Sequence, residues 1–265
     1  FNIKNFLFIV CVLVSYYLII EDCAAIDRAL VFSIVFSINK TFNFNILPLF
    51  LILLSLSIMF FINPYYIFDV GFQYSTVISC TLILYMNNKK SKGKIIDLLE
   101  VSWVSFLVSL PISLYHFSYI NPLSIIYNLF YVPFINIIIF PLSMICFFIP
   151  HLSFILEFFI DIFENSVRFL SNINIGYITL ARINLVYYLL YYVLIFSYLF
   201  IKVKKKIFLF LIFLMVVIHY FYPKVFPKDA LYMIDVGQGD SFLLTSNNKT
   251  MLIDTGGVMS YYTEE

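Results

Sequence analysis

The 265 residues are 63% hydrophobic and 12% charged, with a mean hydropathy of +0.99. Soluble domains carry about a quarter charged residues, so a soluble globular enzyme, a disordered chain and a disulfide scaffold are all excluded. The formal net charge of +1 leaves no global basic field to gather nucleic acid, and any such binding must be local.

Apolar runs follow one another along the chain. The first spans Asn5 to Ile20, and the second, Ala24 to Ile38, carries Asp27 and Arg28 near its start. Next come Ile46 to Ile62, Ile67 to Met86 and Ile95 to Tyr115. The stretch Leu123 to Ile149 is interrupted by Pro133 and Pro141, and His151 to Leu170 is amphipathic. Ile183 to Ile201 and Ile207 to Tyr222 complete the series. The expected fold is mainly α: a polytopic transmembrane helical bundle of about eight or nine apolar segments, one of them broken at prolines. After Tyr222 the character changes. Leu231–Asp235, Ser241–Thr245 and Thr250–Asp254 read as strands around the loop Val236–Asp240, with Asn247 and Asn248 suited to a turn. The expected division is residues 1–222 as a membrane domain, 223–229 as a connector, and 230–265 as the cut-off start of a β-rich soluble domain.

Two lysine clusters set the orientation. Lys89, Lys90, Lys92 and Lys94 form one short loop, and Lys202, Lys204, Lys205 and Lys206 another. Short basic loops stay in the cytoplasm. Both can do so only if an even number of crossings separates them, which a pair of half-spans folded at Pro133–Pro141 would satisfy. Everything beyond Tyr222 then lies outside. The four cysteines, Cys11, Cys23, Cys80 and Cys146, have no metal-like spacing and read as small core residues. Phe1 in place of a start Met, and the end at Glu265, lead to the expectation that the chain is a fragment or a truncated gene product.

Polar groups at membrane depth are costly and face a cavity or the bundle interior. Asn63-Pro64 ends one helix, because the residue before proline avoids the helical region. Asp69 then suits the next helix's positive N-terminus, Gly71 and Ser75 permit close packing, and Gln73 is the best candidate for a polar path wall. The alternative is a capped helix turn with a packing face. Asn128, Pro133, Asn136 and Pro141 form a second group, either a kinked packing helix or a gate. Glu157, Asp161, Glu164 and Arg168 share one helical face, which points to a segment lying in the membrane interface. Asp27 and Arg28 read either as an ion pair at the mouth of a path or as an interfacial charge pair. His116, His151 and His219 show no ligand pattern.

Asn63-Pro64, then Phe68-Asp-Val-Gly-Phe-Gln73, then Asn128 to Pro133 and Pro141 resemble the competence membrane domain of the ComEC family. Arg28-Ala29-Leu30 resembles an early motif of the same domain. Asp235-Val-Gly-Gln-Gly-Asp240 and Leu252-Ile-Asp-Thr-Gly256 resemble the opening of that family's metallo-β-lactamase-like domain. The soluble residues concerned are Asp235, Gly237, Gln238, Gly239, Asp240, Asp254 and Gly256. The resemblance implies an inner-membrane channel for single-stranded DNA in natural transformation, multi-pass, with its soluble part extracellular or periplasmic. It also implies partners: the lipid bilayer, a DNA receptor, a cytoplasmic helicase and a possible second copy of the chain. Asp69, Gly71, Gln73, Asn128, Pro133 and Asn136 become candidates for the DNA path. The sequence departs from the family pattern in three ways. The OB-like domain is absent, Tyr74 stands where an apolar residue is usual, and the His-x-His-x-Asp-His motif does not occur. No cofactor and no catalytic residue are therefore expected in this chain, and a divalent metal only in a full-length parent. The other readings are a transporter of a small solute or lipid with a soluble appendage, and a non-functional remnant.

Overall fold

A computed structural model describes residues 6–7, 10–12, 14–15, 24–87, 89–172, 177–201, 203–227, 229–236, 239–247 and 249–255. The first apolar run lies largely outside the described residues, and Cys23, Lys202, Gly237, Gln238, Asn248 and Gly256 lie wholly outside them.

Eight helices are described beyond residue 23: α1 Ala24–Phe42, α2 Pro48–Ile62, α3 Val70–Met86, α4 Lys94–His116, α5 Ser124–Phe148, α6 Ser153–Asn172, α7 Leu185–Phe200 and α8 Lys205–Val225. Their ends follow local chemistry. Asn43 and Asn45 take positive φ in the α1–α2 turn, a conformation asparagine tolerates. Pro48 opens α2, where a missing N–H costs nothing. Asn184 Oδ1 accepts from the Tyr187 amide at 3.1 Å and so caps α7. Among the described residues α4, α5 and α8 are long and apolar enough to cross a membrane, and α2, α3 and α7 are shorter apolar helices.

Burial divides the helices into two groups. Ala24, Met59 and Phe72 form a small core shared by α1, α2 and α3. A larger one joins Val104, Leu107, Val108 and Leu114 of α4 to Tyr191, Ile195 and Leu199 of α7 and Ile212 of α8. α3 packs on α4 and links the groups. α4 and α7 run antiparallel: Trp103 Nε1 donates to the Tyr198 hydroxyl at 3.3 Å, while Tyr115 meets Tyr188 edge-on twelve residues further along α4. Both lysine loops therefore lie at one end of the bundle. Pro111 sits inside α4, and the Tyr192 hydroxyl donates to the Val108 carbonyl at 3.3 Å in the turn that the proline loosens.

The stretch around Pro133 and Pro141 corrects the sequence expectation. It is one helix, not two half-spans folded at the prolines. Ile135–Ile139 forms a π-helical turn between Ser124–Phe134 and Phe140–Phe148, and the Phe140 amide reaches back five residues to the Ile135 carbonyl. A wider turn ahead of Pro141 makes room for its ring against the preceding carbonyls, so the helix continues where an ordinary α-turn would break. α6, the amphipathic segment, does not stand apart from the bundle. It folds back along α5, with Tyr131 and Phe134 packed on Phe159 and Phe163 and Tyr131 bonded to Ser166. Its charged face remains exposed, with Glu164 and Arg168 paired at 3.0 Å. A two-residue antiparallel pair, β1 Tyr119–Ile120 with β2 Ile178–Thr179, clamps the base of this α5–α6 hairpin. No feature of the sequence pattern pointed to it. Of the cysteines, Cys80 and Cys146 are half-buried, whereas Cys11 is exposed and not a core residue.

Beyond α8, β3 Ala230–Met233, β4 Phe242–Ser246 and β5 Lys249–Ile253 form an antiparallel meander in the order β3-β4-β5. β4 ends at Ser246 and β5 begins at Lys249, with Asn247 at φ +49°. Gly239 takes φ +96° in the loop before β4, a conformation glycine enters without a Cβ penalty.

Candidate functional site: a polar seam at the end opposite the lysine loops

The 3₁₀ turn Pro64–Phe68 joins α2 to α3. Asn63 Oδ1 accepts from the Tyr65 amide at 3.0 Å and Asp69 Oδ1 from the Phe72 amide at 2.6 Å, so a side-chain oxygen caps each end of the turn. Within the apolar run Ile67 to Met86 the helix begins at Val70, with Asp69 at its N-terminus as the sequence suggested, and the first turn of α3 meets the last turns of α4.

Four bonds tie this junction together. Gln73 Nε2 donates to the Ile67 carbonyl at 2.8 Å, and Gln73 Oε1 lies 3.0 Å from His116 Nε2. A carboxamide oxygen only accepts, so Nε2 carries the imidazole proton of that bond. Tyr74 donates its hydroxyl proton to Ser113 Oγ at 2.8 Å, because the Ser113 proton goes to the Ser109 carbonyl. The Tyr74 ring stacks on Phe117 with an interplanar angle of 7°. Tyr74 thus has a specific polar partner. The fourth bond comes from α1, where Arg28 Nε donates to Ser75 Oγ at 2.7 Å.

Asp27 and Arg28 form no ion pair with each other. Asp27 instead accepts from the Tyr66 hydroxyl at 2.8 Å through Oδ2, and its Oδ1 is buried without a hydrogen-bond partner among the described residues. Neighbouring positions on a helix point about 100° apart, which is why two adjacent charges reach two different elements. Arg28 of one sequence motif and Ser75, just beyond the other, thus meet in space.

The remaining candidates sit elsewhere. Asp69 and Gly71 are exposed beside the half-buried Gln73. Asn128 and Asn136 are exposed and Pro133 half-buried on α5, which packs on α4 and α6. In the soluble part Asp240 is exposed, and the Asp254 carbonyl accepts from Ser241 Oγ at 2.8 Å with Asp254 at φ +58°. Among the described residues no three His, Cys, Asp or Glu side chains gather to hold a metal ion. The sequence reading missed His116, Tyr66, Ser113 and Arg182. Arg182 Nε donates to the Tyr115 carbonyl at 3.2 Å and its guanidinium lies 5.5 Å from the Tyr115 ring. A lone cation between apolar runs was the available signal.

At the opposite end Lys89 bonds Glu100 at 2.7 Å and the Tyr85 hydroxyl at 2.6 Å, and Lys92 bonds Glu100 at 2.9 Å. Ser91 donates to Asp97. Burial opposes the charge on Lys89, but the Glu100 carboxylate and the Tyr85 hydroxyl outweigh it and hold the ammonium above the ordinary lysine pKa. The loop therefore stays cationic, as the orientation rule requires.

The family model described as competence protein matches residues 2–205. ComE operon protein 3 of Bacillus subtilis (strain 168) is 28% identical over 275 aligned residues, which take in 94% of this chain and 34% of that protein. The chain thus spans about a third of the length of the curated relative it matches. No solved structure matches. A family match that runs from the N-terminal residues through α7, over the polar seam and both lysine loops, means that the chain belongs to the ComEC family of competence proteins.

Proposed function

We propose that this chain forms the membrane core of an inner-membrane channel that takes up single-stranded DNA in natural transformation. Residues 1–222 are the multi-pass channel domain, 223–229 the connector, and 230–265 the opening of a metallo-β-lactamase-like domain on the outer face. The observation that carries the reading is the polar seam. Arg28, Gln73, Ser75, Ser113 and His116, from three helices, converge at the end away from both lysine loops. A hydrophilic strand needs a wet entry through the bilayer, and polar side chains and opened backbone at that depth supply one. Asp69, Gly71 and Gln73 stand at the entry, with Asn128, Pro133 and Asn136 on α5 as a second wall. The lysine loops, on the cytoplasmic face, suit a helicase partner that draws the strand inward, and a DNA receptor delivers it from outside. Asp235, Asp240 and Asp254 serve the turns and strand ends of the meander, and the reading assigns no metal-dependent step to this chain.

The test is complementation of a strain deleted for the gene that encodes this chain. Copies of that gene carrying changes in the seam are scored for transformation frequency, with the membrane level of each variant measured by immunoblot. Loss of transformation at normal membrane level is the expected result. Wild-type transformation by both the Gly71→Leu and the Gln73→Leu variant, each present at normal level, would remove this segment from the route.

A further inference from the structure

At the same end of the bundle, a cavity of about 700 Å³ lies between the start of α7, the end of α8 and the strands β3 to β5. That volume is in the range of sites for small ligands, about 300–1,000 Å³. Its lining carries two cations, Arg182 before α7 and Lys249 on β5, and no carboxylate among the described residues. The Arg182 Nε is engaged by the Tyr115 carbonyl, which fixes the guanidinium while its terminal amines make no other bond among the described residues. Lys249 is exposed. His219 lines the cavity while 7% exposed. Its Nδ1 lies 2.9 Å from the Met215 carbonyl, which can only accept, so Nδ1 holds the proton and Nε2 is the ring's remaining polar atom.

The other feature of the lining is aromatic. Tyr187, Tyr222, Phe226 and Tyr232 all line the cavity, and each keeps roughly half of its surface open or more. The rings of Tyr222, in the last turn of α8, and Phe226, just beyond it, have centroids 5.5 Å apart. Flat exposed rings beside a fixed guanidinium and an exposed ammonium, without an acidic neighbour, match a ligand that is itself both planar and anionic. A nucleotide unit of a single strand has that chemistry, with bases to stack and a phosphate to pair. A phospholipid fits less well, because its tails would lie against Thr245, Lys249 and Thr250 on the strand wall.

We infer that this cavity is a docking site for one nucleotide unit of single-stranded DNA, with Tyr222 and Phe226 stacking the base and Arg182 and Lys249 pairing with the phosphate. The inference rests on the uptake reading and adds to it a place where the strand is held between the soluble sheet and the helix ends.

The full chain, purified in detergent micelles, is titrated with an end-labelled oligodeoxythymidylate over a series of salt concentrations and followed by fluorescence anisotropy. Lys249→Gln and Tyr222→Leu both change exposed side chains, so the fold is retained, which circular dichroism checks. Lys205→Gln, at the other end of the bundle, is the control. The expected result is a salt slope smaller by about 0.7 for Lys249→Gln, the loss of one phosphate contact. Tyr222→Leu should weaken binding by about tenfold with the slope unchanged, the effect of one lost stacking platform. Wild-type binding and slope in both variants would overturn the site while leaving the uptake reading to the transformation test. Phosphatidylglycerol vesicles form the second arm. If the vesicles bind and the same substitutions weaken that binding, while the oligonucleotide does not bind, the cavity is a lipid site and the inference falls.

Discussion

Gln73 offers the sharpest test of the seam. Its carboxamide joins the turn before α3 to the end of α4, donating to Ile67 at 2.8 Å and accepting from His116 at 3.0 Å. Gln73→Leu keeps similar bulk and removes both bonds. A hydrogen bond contributes about 1 kcal/mol net in water-soluble proteins, and interhelical bonds in bilayers average about 0.6 kcal/mol. The two together therefore come to about 1–2 kcal/mol, and since 1.4 kcal/mol is a factor of ten, the junction should open about tenfold more often. His116→Phe keeps the edge contact with Tyr115, at 5.0 Å between centroids, and loses only the bond to Gln73. Its cost should be about half as large. The double variant should cost less than the sum of the singles by about 0.6–1 kcal/mol, the shared bond counted once. Reversible unfolding of the purified chain in mixed micelles measures all three. Strict additivity, or a Gln73→Leu chain as stable as the parent, would refute the claim that this side chain holds the junction.

The other predictions concern sidedness, route and metal. In a background without the four native cysteines, Ser246→Cys should label with an impermeant thiol reagent on intact cells and Ser91→Cys should not; the reverse pattern would invert the orientation. Gly71→Leu adds bulk at an exposed position on the first turn of α3 and should lower transformation without lowering the membrane level. Glu157→Gln, on the exposed face of α6, should leave both within the small range of ordinary surface changes, about 0.5 kcal/mol in stability. The purified chain should bind no stoichiometric zinc or manganese and hydrolyse no DNA; elemental analysis finding a tightly bound ion would contradict the reading of Asp235, Asp240 and Asp254.

The apolar runs were legible because a bilayer fixes both length and composition, and helix ends because their chemistry is local. Asn63-Pro64 and Asp69 act within three residues of themselves, and the structure has them as side-chain caps. Partnerships across the chain were not legible. Nothing in a single sequence ties Arg28 to Ser75 or Gln73 to His116, separated by 47 and 43 residues. The Asp27-Arg28 pair misled because adjacency in sequence suggests pairing, while the helix turns the two side chains apart. The prolines of α5 misled differently. Proline marks a place where an α-turn fails, but a π-turn restores the helix with one extra residue, and the sequence alone cannot tell a break from a bulge.

This correction bears on the orientation argument itself. The sequence required an even number of crossings between the two lysine loops, and a pair folded at Pro133–Pro141 was one way to supply it. A single continuous α5 would reverse that parity if the chain went straight on to α7. It does not, because α6 runs back along α5 and the β1–β2 pair returns the chain to where it left α4. The Leu180 amide donates to the Ser118 carbonyl at 2.9 Å immediately beyond that pair. The hairpin therefore begins and ends at the same level of the bundle, whether it crosses the bilayer twice or dips into it. The antiparallel packing of α4 on α7 then fixes the two lysine loops at a common end independently of the hairpin's depth. The parity conclusion survives, but its cause is the clamp at the base of the hairpin and not a fold at the prolines.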